Sequence, residues 1–170
     1  MHSEPLGRIG EELSIRQVTT TTDSAATGFV ETYRVAFADA PYFETYEPEW
    51  VLKHVWEPHL PHCILVAEVE RAPWGVAGLA CCHALLADTE PEVRDYLVAQ
   101  RLPFDPEHTV FMSELAVRRE FRRQGLGAKL IQARLRWAED TGFRFFALRT
   151  AATGSNSRRL YERIGAHTAP

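Results

Sequence analysis

Cysteine is scarce in this chain: three among 170 residues, two of them adjacent, Cys81 and Cys82. A small odd number is no disulfide framework and suits a reducing compartment, so a cytoplasmic location is expected. Long apolar runs are lacking as well. None approaches the ~20 residues that a membrane-spanning helix needs, and the polar N-terminus carries no signal-peptide pattern, so no membrane association is expected. The seven histidines are scattered, and without a Cys-x-x-Cys or His-x-x-x-His pair no metal is expected. No internal repeat or low-complexity tract occurs. Neither standard nucleotide motif is complete. Gly127 is followed by Ala128, Lys129 and Leu130, without the hydroxyl residue that a P-loop places on magnesium, and the dinucleotide spacing of three glycines is missing.

What is present describes one soluble domain. A hydrophobic share of 45% beside 25% charged residues is ordinary for a globular protein, and this length supports one full core. Residues 1 to 12 read as a polar tail and residues 13 to 170 as a single domain, with an acidic insertion at 86 to 108. The charge is unevenly spread. Residues 118 to 136 hold six Arg and one Lys against one Glu, a local +6 within a total of −4, which leaves −10 for the rest. A positive loop on an acidic body suits a polyanionic cofactor and a cationic second substrate. A nucleic-acid partner is not expected, because the basic cluster is small and its surroundings are acidic.

Periodicity gives an alternating order of elements. Residues 13 to 19 read as a first strand. Asp23 or Ser24 can cap a helix carrying Ala26, Phe29, Val30, Tyr33 and Phe37 at helical spacing, broken by Pro41. Tyr42, Phe43 and Tyr46 form an aromatic connector to a short helix over 47 to 56. Residues 63 to 69 and 75 to 83 are apolar strands joined by a turn at Pro73-Trp74-Gly75. A helix over 91 to 102 is predicted within the insertion. Residues 109 to 117 are a strand, followed by a helix with Leu130, Ile131, Trp137 and Ala138 on one face and Gly142 as stop. Residues 143 to 150 read as an interior strand, and Asn156 or Ser157 opens a last helix with Leu160, Tyr161 and Ile164 on its buried side. This is an α/β sandwich of the α+β type.

Between the 109–117 strand and its helix lies Arg118-Arg119-Glu120-Phe121-Arg122-Arg123-Gln124-Gly125-Leu126-Gly127-Ala128-Lys129-Leu130. N–H groups at a helix start are unpaired and sit at the positive end of the dipole, and glycines let the backbone approach a diphosphate. The spacing Arg122-x-x-Gly125-x-Gly127 resembles the acetyl-CoA signature of the GNAT superfamily of N-acetyltransferases. Glu114-Leu115-Ala116-Val117 before it, and Asn156-Ser157-Arg158-Arg159-Leu160-Tyr161-Glu162-Arg163-Ile164-Gly165 further on, resemble the flanking blocks of that superfamily. The close match covers roughly residues 109 to 166.

The resemblance implies a GNAT-like mixed, mostly antiparallel central sheet flanked by helices. The superfamily's usual strands after Gly165 are expected to be missing or truncated, with that sheet edge covered by a partner chain or by the N-terminal segment, and a homodimer is the expectation. It implies acetyl transfer from acetyl-CoA to a primary amine by direct attack in a ternary complex. Leu115, Ala116 and Val117 would pair with the pantetheine arm, with the Val117 N–H polarising the thioester carbonyl. Arg122, Arg123, Gln124, Gly125, Leu126, Gly127 and Ala128 would cradle the pyrophosphate. Asn156 would contact the arm, or act only as a helix cap. Tyr161 would be the general acid, a packed core tyrosine being the other reading. Glu114, an acid within an apolar strand, is the candidate general base, against a strand glutamate paired with an arginine; His83 is the runner-up. Cys81 and Cys82 read as small core residues.

The acceptor pocket is expected from Tyr42, Phe43, Tyr46, Trp50 and Trp56 with the acidic Asp88, Glu90, Glu92 and Asp95. Such a wall favours a cationic amine, on a small molecule or a peptide. A catalytically idle acyl-CoA-binding or regulatory module is the alternative function.

Overall fold

The computed structural model describes residues 13–87, 91–100, 104–150 and 156–167. Its frame is a five-stranded sheet in sequence order: β1 (Ser14–Val18), β2 (Cys63–Glu68), β3 (Val76–Ala84), β4 (Thr109–Val117) and β5 (Phe145–Ala147). The first four strands are antiparallel neighbours, and β5 runs parallel to β4. The central strands read as unbroken apolar runs because both of their faces are covered. In β2, Cys63, Leu65 and Ala67 point into one core cluster, while Ile64 and Val66 point into the other.

The first cluster is closed by α5 (Leu126–Thr141), through Leu126, Leu130, Ile131 and Ala138, and by Tyr161 of α6 (Asn156–Arg163). The second is closed by α1 (Ala26–Ala38), through Phe29, Val30 and Tyr33, and by Val55 and Trp56. Trp56 sits edge-on to Phe29, with ring centroids 5.0 Å apart. It belongs to a helical stretch in which α2 (Pro48–Val51) passes through a π-helical turn (Leu52–Trp56) into α3 (Glu57–His59). The sequence pattern ended this helix three residues too early. Cys63, Cys81 and Cys82 are free and buried, and burial pushes the Cys81 thiol well above its ordinary pKa, which leaves it an inert core residue.

Helix α1 lies tight on β3. A Cβ on Gly28 would come within 2.6 Å of Val76 Cγ2 and 2.7 Å of the Trp74 carbonyl, so only glycine permits this approach. The Thr32 hydroxyl donates to the Val76 carbonyl at 2.9 Å, and buried Arg118 donates from Nε to both oxygens. The N-cap of α1 is Ala25, with no side-chain cap, rather than the expected Asp23 or Ser24; Asp23 instead accepts from the Ala25 N–H at 2.9 Å and pairs with Arg16.

Three expectations are corrected. The strand expected over 143–150 is paired only over Phe145–Ala147, and lies at the outer end of the sheet rather than inside it. Ile164, expected on the buried side of the last helix, is 40% exposed, because α6 ends at Arg163. The helix of the acidic insertion, α4 (Pro91–Ala99), is shorter than 91–102, and residues 101–103 lie outside the described part. Among the described residues no strand follows α6, and no helix is long and apolar enough to cross a membrane.

Candidate active site

Strand β4 carries the geometry of the site. Its register with β3 shifts between Cys81 and His83, so that Met112 and Ser113 together stand opposite Cys82. This is a β-bulge, and it changes which residues share a face. Before it, Val110 and Met112 face α5; after it, Leu115 does. Ala116 packs into the α1 cluster. Ser113 and Glu114, although adjacent, both line the same cavity.

Beyond the bulge the two strands part. Strand β5 pairs with Thr109, Val110 and Phe111, and among the described residues no strand pairs with Met112 to Val117 on that side. The Arg118 N–H donates to the Ala77 carbonyl at 3.0 Å. Alternation along an antiparallel ladder then turns the N–H groups of Leu115 and Val117 away from β3, into the wedge.

At the end of β4 the basic loop enters α5. Gly125 is the N-cap, at φ 80°, in the left-handed region open to glycine. No side chain caps this helix start, so its first N–H groups are available to an anion. Leu126 is anchored in the core, while Gly127 and Ala128 are half-buried. Arg123 adopts φ 62° and is exposed. Gln124 is held by its own loop, Nε2 donating to the Glu120 carbonyl at 3.0 Å. Arg122 also acts within the fold: Nε donates to the Val117 carbonyl at 2.8 Å and Nη2 pairs with Asp39 at 3.0 Å.

The wedge opens into a cavity of about 400 Å³. Tyr33, Phe37, Tyr42 and Tyr46 form its aromatic side, Glu44 and Glu114 its acidic groups, and Tyr161 closes the end near α6. Burial first, and then the hydrogen bond to Glu44, push the Tyr46 phenol up to about 12. Burial and the nearby Glu114 charge raise Tyr33 as well. These phenols therefore stay protonated.

Tyr161 is 4% exposed and sits beside a group that the apolar pattern of α5 conceals. Arg134 is fully buried. Its Nη1 donates to the carbonyls of Cys81 and Glu114, at 3.1 and 2.9 Å, and its Nη2 donates to the Tyr161 hydroxyl. One guanidinium thus ties the bulge to the phenol. Burial raises the Tyr161 pKa, and Arg134 opposes that rise. The available signal was the stripe Leu126, Leu130, Arg134, Ala138, where one cation occupies a core position.

His59 and Ser113 were also missed. His59 Nε2 lies 2.7 Å from Ser113 Oγ, and its Nδ1 lies 2.7 Å from the Val55 carbonyl. They stand 54 residues apart, on elements whose contact no local pattern reports.

Other expected residues lie elsewhere. His83 is 2% exposed, its Nδ1 bonded to its neighbour Ala84, and it does not line the cavity. Trp56 is core, Phe43 is 75% exposed, and Trp50 stacks on Tyr46 at 4.5 Å outside the cavity. Glu92 and Asp95 are exposed on α4 and do not line the cavity, while Asp88 and Glu90 lie outside the described residues. Glu44 supplies the carboxylate that the insertion was expected to bring. Asn156 opens α6, and its side chain lies outside the described part. Among the described residues no acidic, histidine or cysteine cluster could hold a metal ion.

The model of the acetyltransferase (GNAT) family matches residues 27–166 of the chain. No curated protein matches in sequence. Solved structures share the fold at low identity. An aminoglycoside acetyltransferase from an uncultured soil metagenomic sample, in complex with sisomicin, is 18% identical, with a TM-score of 0.62 over 94% of this chain and 91% of that one. The ribosomal-protein alanine N-acetyltransferase of Escherichia coli is 18% identical, with a TM-score of 0.58 over 90% and 76%. A family acetyltransferase from Brucella melitensis, in complex with acetyl-CoA, is 20% identical, with a TM-score of 0.61 over 90% and 81%.

Proposed function

Because this chain belongs to the GNAT acetyltransferase family, we propose that it moves the acetyl group of acetyl-CoA onto a primary amine of a cationic small molecule or peptide, by direct attack in a ternary complex. The observation that carries this reading is the wedge between β4 and β5. It joins an uncapped, glycine-led helix start to a cavity holding a carboxylate and a phenol.

Each demand of the reaction has a candidate group. The free backbone edge at Leu115, Ala116 and Val117 would take the pantetheine arm as an added strand. Arg122 to Ala128 would hold the diphosphate through main-chain N–H groups, with Arg122 keeping the loop on β4 and Asn156 contacting the arm. The Val117 N–H would polarise the thioester carbonyl as negative charge develops on its oxygen. Glu114 would take the proton of the incoming ammonium, freeing the lone pair that forms the new C–N bond. As the C–S bond breaks, Tyr161 would give its proton to the departing thiolate, and the second proton shed by the acylated nitrogen would restore the phenol. Arg134 favours that step, since a phenol oxygen that accepts from Nη2 keeps its own proton for the cavity.

The aromatic and acidic wall supports a polycationic acceptor, a chemistry shared by sisomicin, bound in one structural neighbour. Free buried cysteines fit a cytoplasmic setting. The outer edge of β5 would pair with a second copy of the chain, and light scattering over a concentration series should then report a dimer; a constant monomer mass would rule that out.

The test is a thermal-shift titration with acetyl-CoA beside dephospho-CoA, ATP and NAD, followed by an amine panel with thiol detection. Selective stabilisation by acetyl-CoA and thiol release with an amine are expected. No shift with acetyl-CoA would remove the reading. Binding without turnover on any amine would leave the idle acyl-CoA-binding module.

A further inference from the structure

Ser113 and His59 stand outside the roles given above, yet Ser113 faces the cavity beside Glu114. The direction of their hydrogen bond follows from one fixed partner. The Val55 carbonyl can only accept, so Nδ1 of His59, 2.7 Å away, carries a proton. Burial, with the His83 and His62 rings nearby, depresses the imidazole pKa to about 4, so the ring is neutral near neutral pH and Nε2 is bare. The Ser113 hydroxyl, 2.7 Å from that nitrogen, must therefore donate to it.

A hydroxyl has one proton and two lone pairs. With its proton committed to His59, Ser113 offers the cavity only acceptor capacity. At the bulge this acceptor and the adjacent Glu114 both line the cavity. Donors line other parts of the cavity, Arg149, Thr150 and the tyrosine phenols among them, but an N–H group of the ligand suits this pair of acceptors.

Resting on the acetyl-transfer reading above, we propose that Ser113, its hydroxyl oriented by His59, is the second half of the amine-receiving site and accepts an N–H of the acceptor's primary amine. Glu114 takes one ammonium proton, and Ser113 keeps a second N–H so that the freed lone pair points along a fixed direction. His59 is a positioning residue, acting only through Ser113.

The experiment uses the full chain with acetyl-CoA, and sisomicin, spermidine and lysine methyl ester as acceptor probes. Ser113→Ala should raise KM for the accepted probe on the order of tenfold, the effect of one lost hydrogen bond to a charged group, with the Kd for acetyl-CoA unchanged. Ser113→Thr, which retains the hydroxyl, should restore KM. Nitrogen-15 NMR of labelled histidine should show His59 protonated at Nδ1, a readout that needs no substrate. An unchanged KM in Ser113→Ala, failure of Thr to rescue, or an Nε2-protonated His59 overturns the proposal while leaving acetyl transfer intact. Acetyl-CoA binding without turnover on any probe overturns the amine reading itself, and this proposal with it.

Discussion

The guanidinium of Arg134 donates to the phenolic oxygen of Tyr161, and both groups are shut off from solvent. The same guanidinium holds the carbonyls of Cys81 and Glu114, so the phenol and the β4 bulge share one anchor. Because burial raises the phenol pKa and Arg134 opposes it, Arg134→Met should move the Tyr161 titration further up. Fluorotyrosine incorporation with fluorine NMR, assigned through Tyr161→Phe, reads this directly. Turnover should fall, since the departing thiolate would then take its proton from a weaker acid. An unmoved titration would show that the contact has no electrostatic role.

Tyr161→Phe keeps the ring that packs against Phe146, at 6.3 Å between centroids, and removes the proton donor together with the oxygen that accepts from Arg134 Nη2. Acetyl-CoA binding should be unchanged while kcat drops by about 100-fold, within the range for a lost general acid. Stopped assays with thiol detection beside a thermal-shift titration separate the two quantities. Wild-type turnover would reassign Tyr161 to the core alone.

Gly125→Asp tests the loop. Aspartate tolerates the left-handed conformation better than most residues, and no atom lies within 4 Å of the position a Cβ would take at Gly125, so the fold should survive. Its carboxylate would face the diphosphate at the helix start. The thermal shift produced by acetyl-CoA should vanish, with the unliganded Tm lowered by only a few degrees, as expected for about 1 kcal/mol. A retained shift would place the cofactor elsewhere.

Acid should weaken the protein through His59. His59 binds protons less readily when folded, at about 4, than an exposed histidine does, near 6.5. Between those values the unfolded chain carries the extra proton, so stability is full above pH ~6.5 and declines as pH falls towards 4, by up to about 3 kcal/mol. The Arg16–Asp23 pair, whose carboxyl is held below its ordinary pKa chiefly by its hydrogen bonds to Arg16, is lost only at lower pH. Tm measured from pH 7.5 to 4.5 should fall in the wild type and fall less in His59→Gln; parallel curves would assign the decline to other groups, His62 and His83 among them.

The parts of this molecule written in local patterns were legible. Strand 109–117 was bounded as observed, because apolar residues end at a run of arginines, and the helix after Gly125 was evident from its periodicity and from Gly142. The short pairing of β5 was not legible. Residues 143–150 are apolar enough for an interior strand, but only three of them reach β4 before the two chains part, a tertiary fact. The site divides in the same way. The glycine loop, Glu114 and Tyr161 stand in recognisable spacings, while Arg134 acts across 27 residues of sequence and His59 across 54.

The bulge at Met112 and Ser113 makes β4 a strand that must be counted as well as composed. Many single substitutions there leave the side-chain phase untouched. Deleting one of the two residues would restore a regular ladder to β3 but rotate every earlier or later side chain to the opposite face. Either Val110 and Met112 leave the α5 core, or Leu115 leaves it and Glu114 turns inward beneath Arg134. A change of length at this point is therefore closed to gradual divergence, and descendants of this chain should vary in letters there while keeping the same number of residues.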